Sequence, residues 1–115
     1  KDIINRGGYK IYPIELEREI ARHPKVSQVA VVPTKNPVLG ENICACVIPQ
    51  GSEPPSLLEL RNFLEDRVAR QKLPDELAIL DNFPQLTGGV KIKKFGPGGL
   101  IEIAERKTDR EKIRE

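Results

Sequence analysis

The chain has no tryptophan and no methionine, a single histidine and two cysteines, and aromatic residues fill only 4% of its 115 positions. Its net charge is only +2. No apolar run approaches the roughly 18 residues needed to cross a bilayer. These shortages narrow the classes of function. So small a charge argues against a nucleic-acid partner, and Tyr9, Tyr12, Phe63, Phe83 and Phe95 are scattered rather than set in a stacking row. No membrane partner is expected. The opening Lys1-Asp2-Ile3-Ile4 lacks the apolar stretch of a secretory signal, so the expected compartment is the cytoplasm. Without an initiator methionine, and entering β-like sequence at once, the chain is expected to be cut from a longer one at Lys1.

Cys44 and Cys46 stand two apart in an alternating run, which puts both on one face of a strand, a geometry unsuited to a disulfide between them. A metal site needs about four ligands, and His23 sits beside Pro24 at a helix end. Both thiols are therefore expected to serve as small buried apolar groups, and no metal is expected. What remains is ordinary for one globular domain over residues 1–115: 38% hydrophobic and 31% charged residues, enough to close a modest core unaided.

Along the chain, Asp2 to Tyr12 reads as two short β segments around Gly7-Gly8, since glycine permits the positive φ of a tight reversal. Pro13 suits a first helical turn, Leu16 and Ile20 share one face, and Pro24 ends the segment, predicting a helix near 14–22. Strands are expected near 26–33, 42–49 and 76–81, with loop punctuation at Lys35 to Gly40. The run Ile43 to Ile48 is apolar on both faces, which places it inside a sheet covered by helices on each side. Ser56 and Glu59 match a capping box, and Leu57, Leu60, Leu64 and Val68 form one stripe of a helix over 57–70. A glycine- and lysine-rich loop, Leu86 to Gly99, leads to a terminal helix from about Leu100, whose charged end beyond Glu105 is expected to fray. The expected fold is α+β: a small three-stranded sheet with flanking helices and an N-terminal β-hairpin.

Three stretches together resemble the C-terminal domain of the adenylate-forming superfamily, which holds acyl- and aryl-CoA synthetases, peptide-synthetase adenylation domains and luciferases. The first is Lys1 to Ile11 followed by Pro13 and Glu15-Leu16-Glu17. The second runs from His23-Pro24 through Ala30-Val31-Val32-Pro33 to Gly40-Glu41, and the third joins Lys72-Leu73-Pro74 to Phe83-Pro84-Gln85 and Thr87-Gly88-Gly89-Val90-Lys91. The resemblance implies a mobile domain serving a two-step ligase. A carboxylate and ATP first give an acyl-adenylate, and a thiol then displaces AMP, with the domain turning between the steps. Implied with it are ATP and Mg2+, bound mainly by an N-terminal domain, and coenzyme A. A carrier-protein pantetheine is the alternative acceptor.

The resemblance also assigns residues. Lys91 falls on the catalytic lysine of the first step, where a positioned ammonium offsets the charge crowding between carboxylate and polyphosphate. Leu86 stands as an extra residue relative to the family pattern and Val90 replaces a glycine, so Lys93 and Lys94 remain alternatives, and without the insertion Val90 itself would occupy the position. Gly7, Gly8, Tyr9 and Lys10 match the loop lining the thiol's passage, where a missing Cβ lets backbone approach a ligand. Lys1 falls on the hinge position, with Asp2 beside it.

Overall fold

Apolar side chains on both faces bury the strand Gly40–Pro49 at the centre of a mixed sheet in the computed structural model, which describes residues 2–89 and 91–113. In chain order the elements are β1 (Ile4–Arg6), β2 (Tyr9–Ile11), α1 (Pro13–Ile20), β3 (Val26–Asn36), β4 (Gly40–Pro49), α2 (Leu57–Leu64), a 3-10 turn (Arg70–Lys72), β5 (Glu76–Ile79), α3 (Leu100–Arg106) and β6 (Glu111–Lys112). On one face of β4, Ile43, Ala45 and Val47 meet Leu16 and Ile20 of α1 and Leu57, Leu60 and Leu64 of α2. On the other, Cys44 and Cys46 meet Ala30, Val32, Ala78 and the α3 residues Leu100 and Ala104. The expected helix cover on both sides is present. Both cysteines are free and buried on that second face. A hydrogen bond with Cys46 and burial raise the Cys44 thiol well above its ordinary range, so it stays a protonated, apolar group.

The sheet is larger than expected. Its order is β2-β1-β4-β5-β6, with β3 pairing β4; the β4–β5 pair is parallel and the others antiparallel. The N-terminal hairpin joins it through Arg6 opposite Gly40, and β6 joins at the far side of β5. β3 and β4 also run further than expected, closing at Asn36 opposite Gly40 around a three-residue turn. There the Asn36 side-chain oxygen accepts from Val38 N and Leu39 N, both at 2.8 Å, an Asx-type turn.

Two expectations on helix ends are corrected. The capping box forms, with Ser56 Oγ accepting from Glu59 N and Glu59 Oε1 from Ser56 N, but the helix ends at Leu64 rather than near Arg70. The amides of Arg67 and Val68 converge on the Leu64 carbonyl, closing the helix in an irregular turn. The charged segment beyond Glu105 does not fray as far as Ile113. Arg110 lies 8% exposed against Glu76, itself 5% exposed in its side chain, at 2.8 Å. The Arg110 Nη1 group also donates to the carbonyls of Ala104, Glu105 and Lys107, so one side chain closes the C-terminal end of α3 and seats β6.

The outer edge of β3 is protected side chain by side chain. Val31 N donates to Glu17 Oε2 at 2.8 Å and Lys35 N to Glu105 Oε2 at 2.7 Å. Pro33, midway between them on the same edge, has no N–H to satisfy, as suits an edge strand.

His23 gives the fold a pH dependence. Its Nδ1 accepts from Lys25 N at 3.1 Å and its ring stands edge-on to Phe63, centroids 5.0 Å apart. Burial lowers its pKa below the ordinary 6.5, with Glu59 opposing and Lys25 adding to the fall. The unfolded chain therefore binds the proton more readily, so this group's contribution to stability is complete above pH 6.5 and declines as pH falls towards the folded-state pKa. The expected result is that the urea midpoint drops from about pH 7.5 to about pH 5.5, and that His23→Gln flattens the drop. An equal drop in both proteins would contradict it.

Candidate functional site

The glycine turn is a two-residue reversal between β1 and β2. Ile4 pairs with Ile11, Asn5 with Lys10 and Arg6 with Tyr9, leaving Gly7 and Gly8 at φ +56 and +90, the left-handed pair that a type I′ hairpin requires. Three contacts hold the turn in place. Gly7 N donates to Leu39 O at 2.9 Å, Asn5 N to Glu41 Oε1 at 2.8 Å, and Arg6 grips Asp75 through Nε and Nη2, each at 2.8 Å. Asp75 is itself seated by Ile43 N at 2.8 Å. The bidentate Arg6–Asp75 pair thus couples the turn to the mouth of β4 and β5. An added Cβ at Gly7 would lie 3.1 Å from a Leu39 methyl, whereas at Gly8 it would meet nothing within 4 Å. Gly8 therefore faces open space, with Tyr9 and Lys10 exposed beside it.

The lysine loop is a second, separate feature. Gln85 and Ile92 bridge in antiparallel sense, Leu86 N donates to Lys91 O at 2.8 Å, and Lys93 N to Pro84 O at 2.8 Å, so residues 84–86 and 91–93 run antiparallel as the two legs of a hairpin. Among the described residues no hydrogen bond or ion pair engages the Lys91 side chain, which is exposed. Lys93 Nζ donates to Pro97 O at 2.5 Å. Lys94 turns inward: its ammonium lies 2.6 Å from Asp2, 2.7 Å from Glu17 and 3.0 Å from Val31 O, with the side chain 12% exposed. Of the three lysines left open by the sequence, Lys94 is thus committed inside the domain and Lys91 is free to reach out.

The fold brings Asp2 to the foot of the lysine loop but leaves the glycine turn on a different loop, against Leu39 and Gly40. Lys1 and Val90, named from the sequence, lie outside the described residues. Sequence reasoning passed over the Arg6–Asp75 clamp and the setting of Lys94, because both depend on partners remote in the chain. Among the described residues no three His, Cys, Asp or Glu side chains gather as a metal-holding group.

Comparison with known proteins is consistent across sequence and structure. Residues 15–89 match the family described as AMP-binding enzyme C-terminal domain. The chain is 41% identical over 95 residues to the mitochondrial medium-chain acyl-CoA ligase of Macaca fascicularis, covering 83% of this chain and 15% of that protein. It is 41% identical over 95 residues to the 2,3-dihydroxybenzoate-AMP ligase of Bacillus subtilis, covering 82% of this chain and 17% of that one. Among solved structures, apo MatB from Rhodopseudomonas palustris superposes with a TM-score of 0.82 at 28% identity, over 92% of this chain and 20% of its own. The chain spans about a fifth or less of the length of these relatives.

Proposed function

Because the chain belongs to the AMP-binding enzyme C-terminal domain family, we propose that it is the mobile C-terminal domain of an ATP-dependent, AMP-forming acid–thiol ligase. In the first step a carboxylate oxygen bonds to the α-phosphorus of ATP and pyrophosphate leaves. The Lys91 ammonium, carried into the site on its hairpin, stabilises the negative charge gathered there. In the second step a thiol sulfur bonds to the acyl carbon, its proton is lost and AMP leaves. The turn at Gly7 and Gly8, with Tyr9 and Lys10, then borders the thiol's passage. Asp2, with Lys1, lies at the hinge between the two arrangements.

One observation carries this reading: a lysine unengaged among the described residues and an open glycine turn stand on two separate loops of one domain, as a domain with two working faces requires. The ATP and acid pockets then belong to an N-terminal domain. No acidic cluster among the described residues suits Mg2+, so the metal is assigned to that domain as well. Coenzyme A is the leading acceptor. A carrier-protein pantetheine is the second reading, favoured by the likeness to an aryl acid–AMP ligase. No helix among the described residues is long and apolar enough to cross a membrane, and a cytoplasmic setting stays part of this proposal.

The isolated chain is expected to make no acyl-adenylate from ATP and carboxylic acids, while the full-length ligase does so and passes the acyl group to coenzyme A. Thioester formed on a holo-carrier protein and not on coenzyme A would move the assignment to the second reading. Adenylate made by the purified 115-residue chain would overturn the division of labour.

A further inference from the structure

We propose that Lys94 is a positioning residue that sets the direction of the Lys91 hairpin by tying its foot to the segment ahead of β1; this rests on the reading of Lys91 given above. The Lys94 ammonium has three donors and finds three acceptors: Asp2 at 2.6 Å, Glu17 at 2.7 Å and Val31 O at 3.0 Å. Glu17 Oε2 is fixed in turn by Val31 N at 2.8 Å, so α1 and the β3 edge jointly frame the site.

The backbone at the same point is equally constrained. Ile101 N donates to Lys94 O at 3.0 Å, Leu100 N to Lys93 O at 2.9 Å, and Lys93 N to Pro84 O at 2.8 Å. Gly99 closes over this point so tightly that a Cβ there would stand 2.7 Å from the carbonyl oxygens of both Lys94 and Phe95. Lys93 and Lys94 are therefore anchored, and Lys91, one residue beyond the Gln85–Ile92 bridge, stands exposed above that anchor.

The Asp2 contact is what points beyond stability. Glu17 and Val31 alone would satisfy most of the ammonium, and Asp2, 41% exposed, does not need a partner to stay solvated. Joining residues 92 apart in sequence, the contact instead links the segment entering the domain to the root of the reactive hairpin. A reacting group misplaced by about an ångström can lose a hundredfold in rate, so a fixed root matters even when the loop above it moves.

The test uses the full-length ligase and both half-reactions: ATP–pyrophosphate exchange with saturating acid, and thioester formation from supplied acyl-adenylate. Lys94→Met is expected to lower the exchange kcat by about tenfold or more, with the KM for ATP changed by less than about threefold and thioester formation kept within about twofold. Lys94→Arg should restore most of the exchange rate. Unchanged exchange in folded Lys94→Met, or parallel loss of both half-reactions without rescue by Lys94→Arg, would overturn the proposal. If Lys94→Met does not fold, Asp2→Asn decides: a selective fall in exchange supports the link, and wild-type exchange overturns it. Lys91→Ala is assayed alongside. If it adenylates normally, the parent reading fails; if it fails while Lys94→Met works normally, only the present inference does.

Discussion

In the full-length ligase, Lys91→Ala is expected to slow adenylate formation by about 100- to 1000-fold, the usual effect of removing one preorganised charge from a charge-gathering transition state. The structure separates this lysine from its neighbours. Lys93 is occupied by the Pro97 carbonyl and Lys94 by two carboxylates, whereas the Lys91 side chain is exposed and unengaged among the described residues. Burst or pyrophosphate-exchange kinetics would read the effect. Lys93→Ala is the control: it should retain adenylation to within a few-fold, and its failure together with normal Lys91→Ala would shift the register by two residues while leaving the mechanism in place.

The largest stability effect is expected at Glu76. Its carboxylate accepts from Thr34 Oγ1 at 2.6 Å, Arg110 Nε at 2.8 Å and Asn42 Nδ2 at 3.3 Å, in a setting nearly closed to water. Glu76→Ala leaves the Arg110 guanidinium buried without its carboxylate and strips two further donors of an acceptor, which should cost about 3–5 kcal/mol. The retained contacts from Arg110 to three carbonyls favour the lower end of that range. Urea denaturation of the isolated domain would measure it. The double variant Glu76→Ala/Arg110→Ala should lose less than the two single losses added together, because the second change removes the stranded charge. Strict additivity would mean the pair does not act as a unit.

What could be read in advance follows from how local each signal is. The run Ile43 to Ile48 declared a strand buried on both faces because alternation needs only neighbours in sequence. Ser56 with Glu59, and Gly7 with Gly8, carried a cap and a tight turn within two to four residues. The cysteine pair was legible for the same reason. By contrast, the seating of β6 depends on Arg110 finding Glu76, 34 positions away, and a charged tail gives no periodic sign of that. Helix α2 stops at Leu64 although its apolar stripe continues to Val68, which still packs on the core from an irregular turn. In the stretch Lys91-Ile92-Lys93-Lys94 three identical side chains have three different settings: Lys91 is exposed, Lys93 meets the nearby Pro97 carbonyl, and only Lys94 is drawn inward by Asp2 and Glu17 from the other end of the chain. The roles proposed for Lys91 and the glycine turn rest on resemblance, which short motifs carry within a few residues.

The account rests on one domain presenting two different loops to two chemical steps, and a crossed pair of variants in the full-length ligase tests that most directly. Gly8 has φ +90 and a Cβ there would meet nothing within 4 Å, so Gly8→Leu strains a left-handed turn and places bulk where the thiol is proposed to pass. With both half-reactions measured on both variants, Lys91→Ala should lose adenylation and keep thioester formation from supplied acyl-adenylate, and Gly8→Leu should show the reverse. If the two folded variants lose the same half-reaction, or lose both in equal measure, the two loops do not serve separate steps and the account is wrong.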